Sequence, residues 1–247
     1  MRLFWCFLIA ICFFSVPSKG QDIHKRSLQN AVAAIQDSSY SNAISMLSAV
    51  IKKDSMALDA FRLRGLAYLE KGDSLLALKD YDYVLAEDQE DTIMYSLRAE
   101  LNFDLEKYTE SILDYSKALQ LDPIDPDLYR GRGMVYYFLD EFSLALEDFQ
   151  SAILIESDQA SDFFYAGVCQ AELGNSFTAY TYFNTSLALD DQAAQAYYHR
   201  GVALYEMEFG DKACEDWAIA RDLGMVELAE FIKKFCSEQN LKQNNTQ

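Results

Sequence analysis

An all-α chain built from repeated helix pairs is the fold class this sequence predicts, on three observations. Only 10 Gly and 3 Pro interrupt 247 residues, too few breakers for a β chain cut by many turns. Gly65, Gly133, Gly167 and Gly201 stand 68, 34 and 34 residues apart, Ala99 fills the missing step, and Ala31 precedes the series in register. Further columns keep the period: small residues at Ala43, Ala77, Ser111, Ala145, Ala179 and Ala213, then bulky ones at Leu47, Tyr81, Tyr115, Phe149, Phe183 and Trp217. Self-similarity at a fixed period of this length marks a repeat architecture, in which no single unit buries its own apolar face.

Taken in order, the chain opens with an address. Arg2 precedes an unbroken apolar run from Leu3 to Val16, shorter than the roughly 20 residues of a bilayer-spanning helix. Ser18-Lys19-Gly20 offers small residues for a cut before Gln21, so 1–20 reads as a signal peptide, with a retained anchor as the rival. The repeats then fall at 24–57, 58–91, 92–125, 126–159, 160–193 and 194–227. Each holds two helices around a tight turn such as Lys71-Gly72-Asp73 or Leu173-Gly174-Asn175, and Asp122-Pro123 stops one helix before the next starts. Small columns facing each other let the helix backbones approach closely. A capping helix is expected over 225–236, with Met225, Leu228, Ala229, Ile232, Phe235 and Cys236 as its apolar stripe. Residues 237–247 are polar and expected to be disordered.

The period, the Gly/Ala and Ala columns, the aromatics Phe61, Tyr95, Tyr129, Phe163 and Tyr197 four places before the Gly/Ala column, and the Asp-Pro junction resemble the tetratricopeptide repeat family. The resemblance covers 24–227 and implies a right-handed α-α superhelix of six helix-pair repeats closed by the capping helix. Ala213-Cys214-Glu215-Asp216-Trp217 through Lys234-Phe235-Cys236 resembles a terminal segment of exported tetratricopeptide proteins of Bacteroidetes-type bacteria. The family typically binds extended peptides or helices along a concave groove lined by the first helix of each repeat. Carried over, that lining comprises Arg62, Phe103, Arg130, Met134, Tyr137, Phe138, Phe164, Tyr198 and Tyr205, with the two arginines offered to a partner's carboxylate. The columns hold no Asn, so the Lys/Asn carboxylate clamp of cytosolic co-chaperones in the family is absent.

Comparison among the six copies exposes a paired column. Arg64, Arg98, Arg132 and Arg200 are each followed sixteen residues later by Asp80, Asp114, Asp148 and Asp216, whereas Asn30/Met46 and Ala166/Tyr182 lack both charges. The two places are nearly equidistant from the turn, so a structural Arg–Asp pair across each of those four hairpins is expected. Cys214 and Cys236 are each 11 residues from residue 225, where the chain turns, which places them opposite one another. A disulfide, permitted by export, and two reduced buried thiols both stay open.

Chemistry is mostly missing. No phosphate loop, Gly-x-Ser-x-Gly or His-Glu-x-x-His occurs, and the two histidines, His24 and His199, have no partner set for catalysis or metal. Asp122, Asp125 and Asp127 read as helix caps rather than a calcium loop. No cofactor or metal is expected. With 21 Lys+Arg against 39 Asp+Glu, the formal charge of −18 disfavours nucleic acid and anionic membranes. Between Arg132 and Arg200 lie Asp140, Glu141, Glu147, Asp148, Glu156, Asp158, Asp162, Glu172, Asp190 and Asp191, and no Lys or Arg. Asp148 is assigned to Arg132, and Glu156, Asp190 and Asp191 to repeat junctions. The rest form an acidic surface, so a basic protein or peptide is the partner it would select. The expected function is a non-catalytic exported scaffold, periplasmic or extracellular, with no small-molecule substrate. The rival is a structural component that self-assembles or helps build an envelope complex.

Overall fold

The computed structural model describes residues 22–236. The signal reading at 1–20 and the tail reading at 237–247 lie outside them, as do Cys6 and Cys12. The described residues form thirteen helices and no strand. They are α1 (Asp22–Gln36), α2 (Tyr40–Lys53), α3 (Leu58–Lys71), α4 (Ser74–Glu87), α5 (Thr92–Asp104), α6 (Tyr108–Leu121), α7 (Pro126–Phe138), α8 (Phe142–Ile155), α9 (Ala160–Glu172), α10 (Ser176–Leu189), α11 (Ala194–Glu206), α12 (Gly210–Asp222) and α13 (Leu228–Phe235). Two compact units divide them, α1–α5 ending at Lys107 and α6–α13 beginning at Tyr108. Within each unit every helix packs on the next, and α1 meets α3 and α9 meets α11 one hairpin further on.

The turns inside the repeats obey one rule. Ser38, Gly72, Glu106, Asp140, Gly174 and Glu208 share a column, and all have positive φ, between 56° and 92°. The residue after each donates its N–H back to the preceding helix, as Asp73 N does to Tyr68 O at 2.8 Å and Glu141 N to Tyr136 O at 3.0 Å. This is a left-handed helix stop that glycine makes without strain and a side chain makes at a cost of roughly 1 kcal/mol or more.

The glycine column lets the paired helices approach, a Cβ on Gly201 coming 3.2 Å from the backbone oxygen of Ala213, and it also seats the bulky column. A Cβ on Gly65 would come 2.4 Å from Cε1 of Tyr81, and one on Gly201 would come 2.5 Å from Nε1 of Trp217. The missing side chain is occupied by the bulky column of the second helix. Tyr81, Phe149, Phe183 and Trp217 are consequently almost wholly buried. Backbone closeness and ring burial are thus a single contact, and neither column can change size alone.

The cap departs from the expected stripe. Residues 225–227 form a turn, with Leu228 N donating to Met225 O at 3.0 Å, and the helix starts only at Leu228. Leu228, Phe231, Ile232 and Phe235 face the core, the spacing of one helical face, while Ala229 is exposed. Phe231, missing from the expected stripe, stacks edge-on against Trp217 with centroids 4.8 Å apart.

Candidate functional site

The first helices of the repeats, α3 and α5 in one unit and α7, α9 and α11 in the other, carry the proposed partner-binding residues. Arg62 and Arg130 are not offered outward. Arg62 donates from Nε to Asp91 at 2.7 Å, from Nη1 to Asp59 at 2.9 Å and from Nη2 to Asp88 at 3.0 Å. Arg130 donates from Nε to Asp162 at 2.8 Å, from Nη1 to Asp127 at 2.7 Å and from Nη2 to Glu156 at 2.7 Å. Each guanidinium holds three carboxylates of its own chain, which corrects the expectation that it would receive a partner's. The reason is local supply: an acid one turn back on the same helix, one at the repeat junction and one at or near the start of the next first helix. Burial alone would lower the Arg130 pKa, yet the bonds to Glu156, Asp162 and Asp127 raise it above the ordinary value. Asp162, expected on the acidic surface, is only 2% exposed. Burial pushes its carboxyl up from the usual range, with Arg130 pulling the other way.

The paired column makes bidentate forks. Arg64 reaches both oxygens of Asp80 at 2.7 and 2.8 Å, Arg132 both of Asp148 at 2.8 and 2.9 Å, and Arg200 both of Asp216 at 2.7 Å. The expected pair Arg98–Asp114 divides between the two units. A third bond was not expected. Nη1 reaches sixteen residues backwards, to Ser48 Oγ from Arg64 at 3.1 Å, Asp82 from Arg98 at 2.7 Å, Ser116 Oγ from Arg132 at 2.9 Å and Asn184 Oδ1 from Arg200 at 2.6 Å. Arg64, Arg132 and Arg200 therefore each fasten their own hairpin to the preceding second helix, and Arg98 ties α5 to α4. Where Ala166 and Tyr182 replace the pair, the Tyr182 hydroxyl spans the gap directly and accepts from Gln150 Nε2 at 3.0 Å. That substitution explains why both charges vanish together in the fifth repeat.

The aromatic candidates are half-buried packing residues whose remaining area faces outward. Phe164 lies against Phe183 at 6.0 Å and His199 at 5.5 Å, and Tyr198 against His199 at 5.1 Å. Tyr137 meets Tyr165 at 5.4 Å, and Tyr205 meets Trp217 at 5.7 Å and Phe235 at 5.9 Å. Met134 packs half-buried against the cluster of Phe149 and Cys169. Phe103 is half-buried in the first unit, and Phe138 is 58% exposed with its ring 5.2 Å from that of Tyr108.

No group of three or more His, Cys, Asp or Glu among the described residues is arranged to hold a metal ion. Asp125 caps α7 by accepting from Asp127 N at 2.9 Å. Burial pushes the Cys169 thiol up to about 12, far from a reactive thiolate. Burial likewise lowers the His199 pKa. The folded chain thus resists a proton that the unfolded chain accepts, so this residue's contribution is full above pH 6.5 and declines as pH falls below it. Urea midpoints at pH 7.5 and 5.5 should therefore differ more for the wild type than for His199→Phe, and equal differences would refute the assignment. Cys214 and Cys236 are joined by a disulfide with Cα atoms 5.8 Å apart. Among the described residues, no helix is long and apolar enough to cross a membrane.

Residues 28–92 match the family model described as tetratricopeptide repeat, and residues 99–140 match the one described as TPR repeat. These matches and the helix-pair fold support the tetratricopeptide repeat family. No curated protein matches the chain. Among solved structures, YrrB, described as a TPR protein with an unusual peptide-binding site, is 25% identical with a TM-score of 0.68, covering 76% of this chain and 97% of that one. The C-terminal part of a TPR repeat-containing protein from Cytophaga hutchinsonii is 15% identical with a TM-score of 0.72, covering 88% and 92%. MamA is 20% identical with a TM-score of 0.63, covering 66% and 95%.

Proposed function

We propose that this chain of tetratricopeptide-type repeats is an exported, non-catalytic scaffold that binds a protein or peptide partner along the first helices α7, α9 and α11. The observation that carries the reading is the row of half-buried side chains Met134, Tyr137, Phe164, Tyr198 and Tyr205. Each is held on one side by packing, so a partner meets surfaces whose rotamers are already ordered. The likeness to YrrB, with its peptide-binding site, supports the same reading. Because Arg62 and Arg130 are internally paired, recognition here is by apolar and aromatic contact, not by a carboxylate clamp.

Export is supported by the N-terminal pattern and by the Cys214–Cys236 bond, which suits an oxidising compartment. A mature N-terminus at Gln21 is the expected result of sequencing the protein from its native host. For partner binding, peptides selected on the wild type should lose most of their affinity for Met134→Ala/Tyr198→Ala, with the urea transition still cooperative. Undiminished affinity would refute the site. Light scattering separates the self-assembling alternative: a monomer at all concentrations supports the scaffold.

A further inference from the structure

A second surface lies on the edge of the second unit where the turns inside its last three hairpins stand, at 139–141, 173–175 and 207–209. Five large apolar side chains are solvated around these turns: Phe138 (58% exposed), Leu139 (39%), Leu173 (41%), Phe177 (68%) and Phe209 (48%). Aliphatic side chains are solvated elsewhere in the unit too, Ile124 (75%) and Leu154 (88%) among them, but its three exposed phenylalanines all stand at these turns, and clustered exposed rings mark a contact surface. The charges around it are acidic apart from Lys212. Asp140, Glu141, Glu172 and Glu208 are exposed and, among the described residues, make no ion pair. No Lys or Arg occurs between Arg132 and Arg200 to neutralise them. The one lysine at this edge shows how a cation sits there: Lys212 Nζ is 5.6 Å from the Phe209 ring centroid.

We propose that this edge binds a basic segment of a partner protein, with Lys or Arg side chains against the turn acids and the phenylalanine faces, and apolar side chains on Phe138 and Phe177. A second copy of this chain is disfavoured by like charge, since the protein carries a formal −18, and an anionic membrane is disfavoured for the same reason. Spacing sets the pattern of the ligand. Packed helices stand about 10 Å apart, and an extended chain advances about 3.3 Å per residue. Successive turns stand one hairpin apart, so a ligand crossing the edge meets them with anchors at least three residues apart.

Apart from Phe138, which the sequence reading placed in the groove, the edge uses none of the groove candidates on α7, α9 and α11, so different variants test the two readings. A displayed library of random twelve-residue peptides, selected on the purified protein, should enrich Lys or Arg together with apolar residues at that spacing. Two variants test the location. Asp140→Gly/Glu208→Gly removes two charges and relieves two positive-φ side chains, which keeps the fold. Phe138→Ser/Phe177→Ser removes exposed rings. Each should weaken a selected basic peptide at least tenfold, and 300 mM salt should weaken it relative to 50 mM. Selection of acidic or uncharged peptides, or binding unchanged in both variants, overturns the proposal. Loss only in Met134→Ala/Tyr198→Ala assigns the peptide to the other face and overturns it too. A dimer abolished by Phe177→Ser would give the edge to a second copy instead.

Discussion

Arg130→Ala should lower the stability of the folded chain by about 3 to 5 kcal/mol, the cost of leaving a buried charge without its partner. Asp162 has a side chain only 3% exposed, and Arg130 is the cation that meets it, at 2.8 Å. The same guanidinium neutralises Glu156 and Asp127, so truncation leaves three carboxylates together, one of them desolvated. A urea titration followed by circular dichroism measures the loss. Adding Asp162→Asn should restore a large part of it, because the buried group then carries no charge. The sign of the pH dependence is fixed. Burial already holds the Asp162 carboxyl above its ordinary value, so its charge costs the fold as pH rises through the folded pKa. Without Arg130 that cost grows, so the deficit of the variant is largest near neutrality and shrinks in acid. A midpoint unchanged at pH 7 would return Arg130 to the list of residues free to hold a partner.

Reduction of Cys214–Cys236 should have the next largest effect, about 3 kcal/mol from the restored freedom of a loop whose ends lie 22 residues apart. The loss falls on α13, whose eight residues are too few to stay helical alone. That helix depends on Phe231 and Phe235 against Trp217, and on the covalent tie to α12. Trp217 is 1% exposed, and the other tryptophan, Trp5, falls in the segment 1–20 whose removal is proposed. Indole emission of a chain starting at Gln21 therefore reports this one contact. A reductant, or Cys214→Ser, should shift that emission to longer wavelength and lower the thermal midpoint. Unchanged emission would show that packing alone seats the cap.

Contacts within one hairpin were legible in the sequence. Two positions equally far from a tight turn must meet, so the sixteen-residue interval between Arg64 and Asp80 or between Arg132 and Asp148 carries its own geometry. The arithmetic that opposes Cys214 and Cys236 is of the same kind, although it left their oxidation open. The turn column was only half legible. Gly72 and Gly174 announce a left-handed stop, whereas Ser38, Glu106, Asp140 and Glu208 adopt it without the residue that signals it.

Contacts between hairpins were not legible. Asp91 and Asp162 serve equivalent arginines from different columns, one at a helix N-cap and one inside a first turn, so no period relates them. The backward bonds to Ser48, Asp82, Ser116 and Asn184 use four acceptors of three chemical kinds, and in the fifth repeat a tyrosine replaces the whole arrangement. The sequence by itself determined the repeat, its register, the helix pairs and the forks inside them, because chain connectivity converts spacing into distance there. Only the tertiary structure decided that Arg62 and Arg130 are already engaged, that Asp162 is core, and that the exposed aromatic area collects at the turns. Those outcomes depend on which side chain reaches across a gap between helices, and many residue types can make the same reach.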